Sequence, residues 1–480
     1  MRPLTPLALL VAASLLVPCA ARAQAARTSD LRYPPLPKFD IPVPERVVLD
    51  NGMVVLLLPD HELPLVEATA LVHAGPRYDP AAKAGLGSLA AEVMRTGGTP
   101  SKSGDEVDDF LESHAASIEL EVDDDVTRAS LSALKADFAD VLRLFADVLR
   151  RPALDGEKLE VARSQELANV ARRNEDPFGI LFRETGKVLY GADSPLARTP
   201  TYATLRAVTR DDLVAWHRAS VHPDRVVLGI SGDFQRDEAL ALVRAAFGDW
   251  TRGPEWKPPA PAIRSDAPRG VFFARKDDVT QSYVTLGHLG LRRDDPDYYA
   301  VDILNQLFAN SFASRLLVEV RTKKGLAYAV FGGVGTAWDH PGQSTVSLST
   351  KTETTGAGID ALLVETRGLG SRPPTAEEIE DARQAILASF VFRFDSTARV
   401  LNRQLLLEHY GYPRDWLTRY REGIEKTTPD AVRRAARHLR ADDFAIVVVG
   451  PATGTDKPLS SYGKVTPLDI SLPEDETGGQ

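Results

Sequence analysis

Apolar and polar positions along the chain alternate in two recognisable periods, two for strands and 3.6 for helices. The first strand signal is Met53–Leu58, closed by Pro59-Asp60, and a second covers Val66–His73. The spacing then predicts helices over Gly85–Thr96 and Ser103–Ser113, followed by alternating strands at Ile118–Val122 and Thr127–Ala133. Between Lys135 and Leu149, Phe138, Val141, Leu142, Leu144, Phe145, Val148 and Leu149 fall at helical spacing. A long helix is predicted over Asp155–Arg173, with Asp155 as its cap and Glu157 in its first turn. A helix at Arg210–Ser220 and the unbroken apolar strand Val226–Gly232 close the set.

Much of this pattern occurs twice, with a period near 220 residues. Leu71 to Arg77 pairs with Leu286 to Arg292, and Glu157 to Arg163 pairs with Glu377 to Arg383. Thr209-Arg-Asp211 followed by Val226–Gly232 pairs with Thr428-Pro-Asp430 followed by Ile446–Gly450. Three matches in the same order make an internal duplication. The expected class is α+β: two homologous halves, each a duplicated α/β sandwich with an antiparallel sheet and helices packed on one face. The expected divisions are a leader at 1–23, a polar lead at 24–45, an N-terminal half at 46–250, a Pro-rich linker at 251–268, a C-terminal half at 269–455 and a polar tail at 456–480.

Composition narrows the class further. Hydrophobic residues make up 43% of the 480 and the net charge is −10, which disfavours a nucleic-acid partner. Arg2, the apolar run Leu4–Val17 and Ala21-Arg22-Ala23 have the order of a secretory signal peptide with an A-x-A cleavage site. Cys19, the one cysteine, falls inside that leader, so the mature chain is expected to hold no disulfide and no thiol nucleophile. The expected location is outside the cytoplasm, in the periplasm, with no transmembrane segment after cleavage.

The segment Ala84-Gly85-Leu86-Gly87-Ser88-Leu89-Ala90-Ala91-Glu92-Val93-Met94, with Gly98-Thr99 behind it, resembles the zinc helix of the inverzincins, the pitrilysin/insulinase family of metallopeptidases. The opening Leu49–Met53 and the loop Ala74–Pro80 are similar to the same family, and the likeness runs from about Arg46 to Gly450. In that family two His of H-x-x-E-H bind zinc and the Glu activates water. Here the two His positions are Ser88 and Glu92, and the Glu position is Ala91. The third ligand, a Glu on a later helix before an acidic turn, corresponds to Asn169 or to Ala168, with Glu166 one helical turn away. The resemblance therefore implies a chain with no zinc or other cofactor of its own and no catalysis of its own.

The nine histidines form no H-x-x-x-H and no H-x-x-E-H, and are expected to be scattered structural residues. Gly332-Gly333-Val334-Gly335 lacks the Lys-Ser/Thr of a phosphate-binding loop and is expected at a strand turn.

The second half keeps a different family feature. Ser314 to Tyr328 is similar to the family's S-R-L-F-x-x-L-R-E-K-x-G-L-A-Y segment, where an Arg and a Tyr seven residues apart reach over the bound peptide. Arg321 and Tyr328 occupy those places. The resemblance implies substrate binding for Arg321 and hydrogen-bond donation to a developing oxyanion for Tyr328. Ordinary surface hydrogen bonding fits the same two residues. The expectation is a non-catalytic, substrate-positioning subunit of an exported heterodimeric zinc peptidase, the zinc residing in a paralogous partner. A structural scaffold, or a stand-alone peptide-binding protein using a free sheet edge, is the alternative.

Overall fold

The computed structural model describes residues 41–472, so the expected leader, most of the polar lead and the end of the tail lie outside the described residues. In the first half, Glu45–Val48 (β1), Val54–Pro59 (β2), Leu65–Val72 (β3), Ser117–Asp123 (β4), Val126–Leu134 (β5) and Val226–Gly232 (β6) form one sheet of order β1-β2-β6-β3-β5-β4. The second half supplies Gly270–Arg275 (β7), Gln281–Leu289 (β8), Leu291–Arg292 (β9), Ala329–Gly333 (β10), Thr336–Ala337 (β11), Gln343–Lys351 (β12), Ala445–Gly450 (β13) and Val465–Leu468 (β14). Its main sheet has the order β10-β12-β8-β13-β7-β14, and β9 and β11 pair separately.

The duplication is written in the topology. Strands β2, β6, β3, β5 and β4 stand in the same order and the same senses as β7, β13, β8, β12 and β10. The helices Gly156–Arg172 and Ala376–Arg393 occupy matching places in chain order, each opened by a capping side chain, Asp155 and Thr375.

The two-half α+β plan is as expected, with three corrections of detail. The sheets are mixed rather than antiparallel, because β2 pairs parallel with β6, β7 with β13, and β14 with β7. In the first two pairs a strand near the start of a half meets one near its end, and the long crossover between them makes a parallel pairing available. Each half also holds one six-stranded sheet rather than two sandwiches, with only the short pair β9 and β11 beside it in the second half. No second sheet forms between β5 and β6, where Pro177–Tyr190 and the expected helix Arg210–Ser220 are helical throughout.

The third correction concerns the faces. In the N-terminal half, Val55, Leu57, Val66, Ala68, Ile118 and Leu131 on one face of the sheet share a core with Leu89, Val93, Leu142, Phe145 and Phe247 of its own helices. A helix from the other half, Thr397–His409, packs on β6, β3 and β2. Its partner in the repeat, Pro177–Tyr190, packs on β8 and β13, where Ile180, Leu181, Val188 and Leu189 meet Ala445, Val447 and Val449. Each half thus lends one helix to the other's sheet. Two-sided cover explains the unbroken apolar runs of β6 and β13, which a sheet covered on one face would not need. Gly229 in β6 permits the close approach, since a Cβ there would stand 2.9 Å from Leu405 and 3.0 Å from Leu401.

Charged and polar groups also join the halves. Buried Arg77 lies 2.6 Å from Asp125 and 3.0 Å from Asp339, and the Tyr410 hydroxyl donates to Asp125 at 2.7 Å. Residues 251–269 run between the halves without helix or strand. The stretch read as a polar tail from 456 instead adds β14 to the sheet edge, and Tyr462 donates to the Gly356 carbonyl at 2.8 Å.

Candidate functional site

The helix Leu86–Thr96 owes its shape to features independent of zinc. Leu86, Leu89, Ala90, Val93 and Met94 face the core. Asp79, buried in the preceding loop, accepts hydrogen bonds from the backbone of Gly85 at 3.1 Å and Gly87 at 3.0 Å. A carboxylate at a helix N-terminus satisfies free N–H groups and complements the dipole. Burial pushes the Asp79 carboxyl up to about 6, against those same hydrogen bonds. Gly85 takes φ of +100°, a conformation that disfavours a side chain.

This helix packs on Gly156–Arg172 and on the edge strand β4. The two helices that carry zinc ligands in the family are therefore neighbours here, with Glu92 close enough for its charge to act on Glu166. Ser88 is half-buried, Ala91 is buried, and Glu92 and Asn169 are exposed. Glu166 is half-buried; burial raises its carboxyl above the ordinary range and the charge of Glu92 adds to this, while a hydrogen bond with Asn169 opposes it. The frame of a metal site survives with a hydroxyl, a methyl, an amide and two carboxylates on it. Such a set supplies no imidazole and no thiolate and does not fit zinc. Ala91 carries nothing that could activate a water.

Arg321 lies on a π-helical segment, Leu317–Lys323, a rare form that recurs at functional sites. Gly325, at φ of +63°, ends that segment and turns the chain towards β10, the edge strand of the second sheet. Cationic neighbours of Arg321 are engaged: Arg315 with Glu378 at 2.7 Å, Lys323 with Glu319 at 2.7 Å, and Lys324 with Glu365 at 3.8 Å. Arg321 has no carboxylate partner among the described residues, and its guanidinium rests 5.7 Å from the centre of the Tyr328 ring. Tyr328 is 81% exposed. The structure thus sets the two residues side by side as unengaged donors on an open surface next to a free strand edge.

Sequence reasoning missed one grouping. His73 and His409, read as scattered, meet with Asp125 at the junction of the halves. Nothing in their spacing announces this, because the contact depends on the exchanged helix.

Residues 54–189 match the insulinase family, peptidase family M16, and residues 207–386 match the peptidase M16 inactive domain. An uncharacterized zinc protease of Mycobacterium tuberculosis is 26% identical over 85% of this chain and 93% of its own length. A protein of Helicobacter pylori named as the non-peptidase homolog YmxG is 23% identical over 76% of this chain and 84% of its own length. Among solved structures, the peptidase M16 inactive domain of Pseudomonas fluorescens superposes with a TM-score of 0.78 at 26% identity, covering 86% of this chain and 99% of that one. A protease of Helicobacter pylori shares the fold, with a TM-score of 0.77 at 19% identity over 86% of this chain and all of its own. With its two-half architecture and a zinc helix bearing no zinc ligands, the chain belongs to peptidase family M16, the insulinase family, as an inactive-type member.

Proposed function

We propose that this chain is the non-catalytic, substrate-positioning subunit of an exported zinc peptidase, working beside a paralogous subunit that carries an intact H-x-x-E-H helix. The observation that carries the reading is the contrast between two sites in one chain. The zinc helix keeps its packing and has lost every group that does chemistry. Arg321 and Tyr328 remain exposed and without carboxylate partners while the cations around them are paired. A guanidinium and a phenol placed in advance are suited to hold a peptide backbone and to donate to the oxyanion that forms when the partner's zinc-bound water attacks. The leader expected at 1–23 supports a periplasmic setting for this pairing. A relative named as a non-peptidase homolog is in keeping with a role for the fold without catalysis.

The test is to purify the full mature chain alone and together with an exported paralogue bearing an intact H-x-x-E-H helix, and to assay hydrolysis of a peptide library. The chain alone is expected to show no chelator-sensitive cleavage, and the mixture to cut faster than the paralogue alone. Chelator-sensitive cleavage by the isolated chain, or a mixture no faster than the paralogue, would overturn the reading.

A further inference from the structure

The junction of the halves holds a cluster that neither the degenerate helix nor the Arg321–Tyr328 pair uses. His73 follows β3 and Asp125 sits in the turn between β4 and β5, both in the N-terminal half. His409 ends the helix Thr397–His409, which the C-terminal half lends to the N-terminal sheet. One ring nitrogen of each histidine and one oxygen of Asp125 lie within 4.8 Å of one another. Nε2 of His409 is 3.8 Å from Oδ2 of Asp125, too far for a hydrogen bond.

Three observations separate this cluster from an ordinary buried polar network. The His409 side chain has no exposed surface, yet neither of its ring nitrogens has a hydrogen-bond partner, and Nδ1 of His73 is also without one. Burying a polar atom in that condition is costly, and folded chains seldom tolerate several together. The repeat supplies an internal control. His288 takes the place of His73 in the second half, and there both nitrogens are satisfied, by the Leu289 carbonyl at 2.7 Å and the Arg440 N–H at 3.0 Å. Charge is also out of balance. The single guanidinium of Arg77 meets three carboxylates, Asp125 at 2.6 Å, Asp339 at 3.0 Å and Asp124 at 3.4 Å.

We propose that His73, Asp125 and His409 bind one divalent transition-metal ion of the zinc class, tying the N-terminal half to the C-terminal half. Two imidazoles and a carboxylate suit zinc, cobalt or nickel and are a poor set for calcium or magnesium, which take oxygen ligands. The Tyr410 hydroxyl, 2.7 Å from Oδ1 of Asp125, holds the carboxylate from behind, as outer-shell partners of metal ligands do. A tetrahedral zinc would draw the ligand atoms to about 3.3 Å apart. The two rings now stack at 3.6 Å with 18° between their planes, so their lone pairs run side by side. Binding requires one ring to turn, and the turn falls to His73, the less buried of the two. With three protein ligands the fourth position is left to water. This site is separate from the degenerate helix, on which the expectation of a metal-free chain rests.

The test uses the full mature chain, stripped with chelator and titrated with Co(II) and then Zn(II), reading visible absorption, metal per chain and melting temperature. Expected are one Co(II) per chain with tetrahedral absorption, its displacement by Zn(II), and a rise in melting temperature with metal. His73→Gln and His409→Gln should each weaken binding by more than the roughly 10–100-fold that losing an outer-shell partner costs. Glu92→Gln with Glu166→Gln should leave binding unchanged. If His409→Gln fails to fold, His73→Gln decides the question. Absence of stoichiometric metal on the folded wild-type chain, or full binding by folded His73→Gln, would overturn the proposal.

Discussion

Arg77 has a side chain only 2% exposed, and it faces Asp125, which is 5% exposed. Burial works against its charge, but the carboxylates of Asp125, Asp124 and Asp339 outweigh that and hold the guanidinium firmly protonated. Arg77→Met keeps the bulk of the stem and strands the carboxylates, which should cost about 3–5 kcal/mol. Arg419, paired with Asp415 at 2.8 Å where both side chains are more than half exposed, provides the comparison, and Arg419→Met should cost far less. Denaturant unfolding of the two variants checks this; equal losses would show that the junction does not depend on Arg77. Single residues also mark how far sequence reasoning reaches. Arg321 and Tyr328 were legible because they are local, seven positions apart in one motif. His73, Asp125 and His409 were not, because no local pattern links residues that a long-range helix exchange brings together.

Elements were legible where local chemistry specifies them. Asp155 accepts from the N–H groups of Glu157 and Lys158, as its place before an apolar run predicts, and Leu86–Thr96 folds as a helix through its cap and buried positions. Strand senses and sheet number were not legible, since pairing is decided by segments far apart in the chain. Because the helix does not need its ligands to fold, its ligands were free to change. The variant Ser88→His, Ala91→Glu, Glu92→His and Asn169→Glu should therefore fold, yet lack the outer-shell contacts that orient zinc ligands. Weak metal binding at the helix and little peptide turnover are expected; efficient hydrolysis would show that only the ligands had been lost. Strand β8 carries a second test. Burial, aided by the charge of Arg440 and opposed by the hydrogen bond to the Leu289 carbonyl, lowers His288 to about 4 from an ordinary 6.5, and Nε2 accepts from the Arg440 N–H. The unfolded chain then binds this proton between pH 6.5 and 4 while the folded chain does not. That share of stability is present above 6.5 and is lost as pH falls through the window, by about 3 kcal/mol. Unfolding free energies measured at steps from pH 7.5 to 4 should fall, and His288→Gln should flatten the slope; an unchanged slope would contradict the assignment.

At the scale of the whole molecule, the exchanged helices make the halves one compact unit, so the degenerate zinc helix, the edge strands β4 and β10, and the Arg321–Tyr328 surface belong to a single frame. A frame that has lost its catalytic groups and kept two unengaged donors is suited to completing a site on another chain. Tyr328→Phe removes one donor from an exposed ring and should leave packing intact. The most direct measurement is the peptide-hydrolysis rate of the pair reconstituted with the H-x-x-E-H paralogue, wild type against Tyr328→Phe, beside a melting curve for each. A fall of roughly 10²–10³ in turnover at unchanged melting temperature is the predicted result; an unchanged rate at unchanged melting temperature would contradict it and leave the chain as a scaffold.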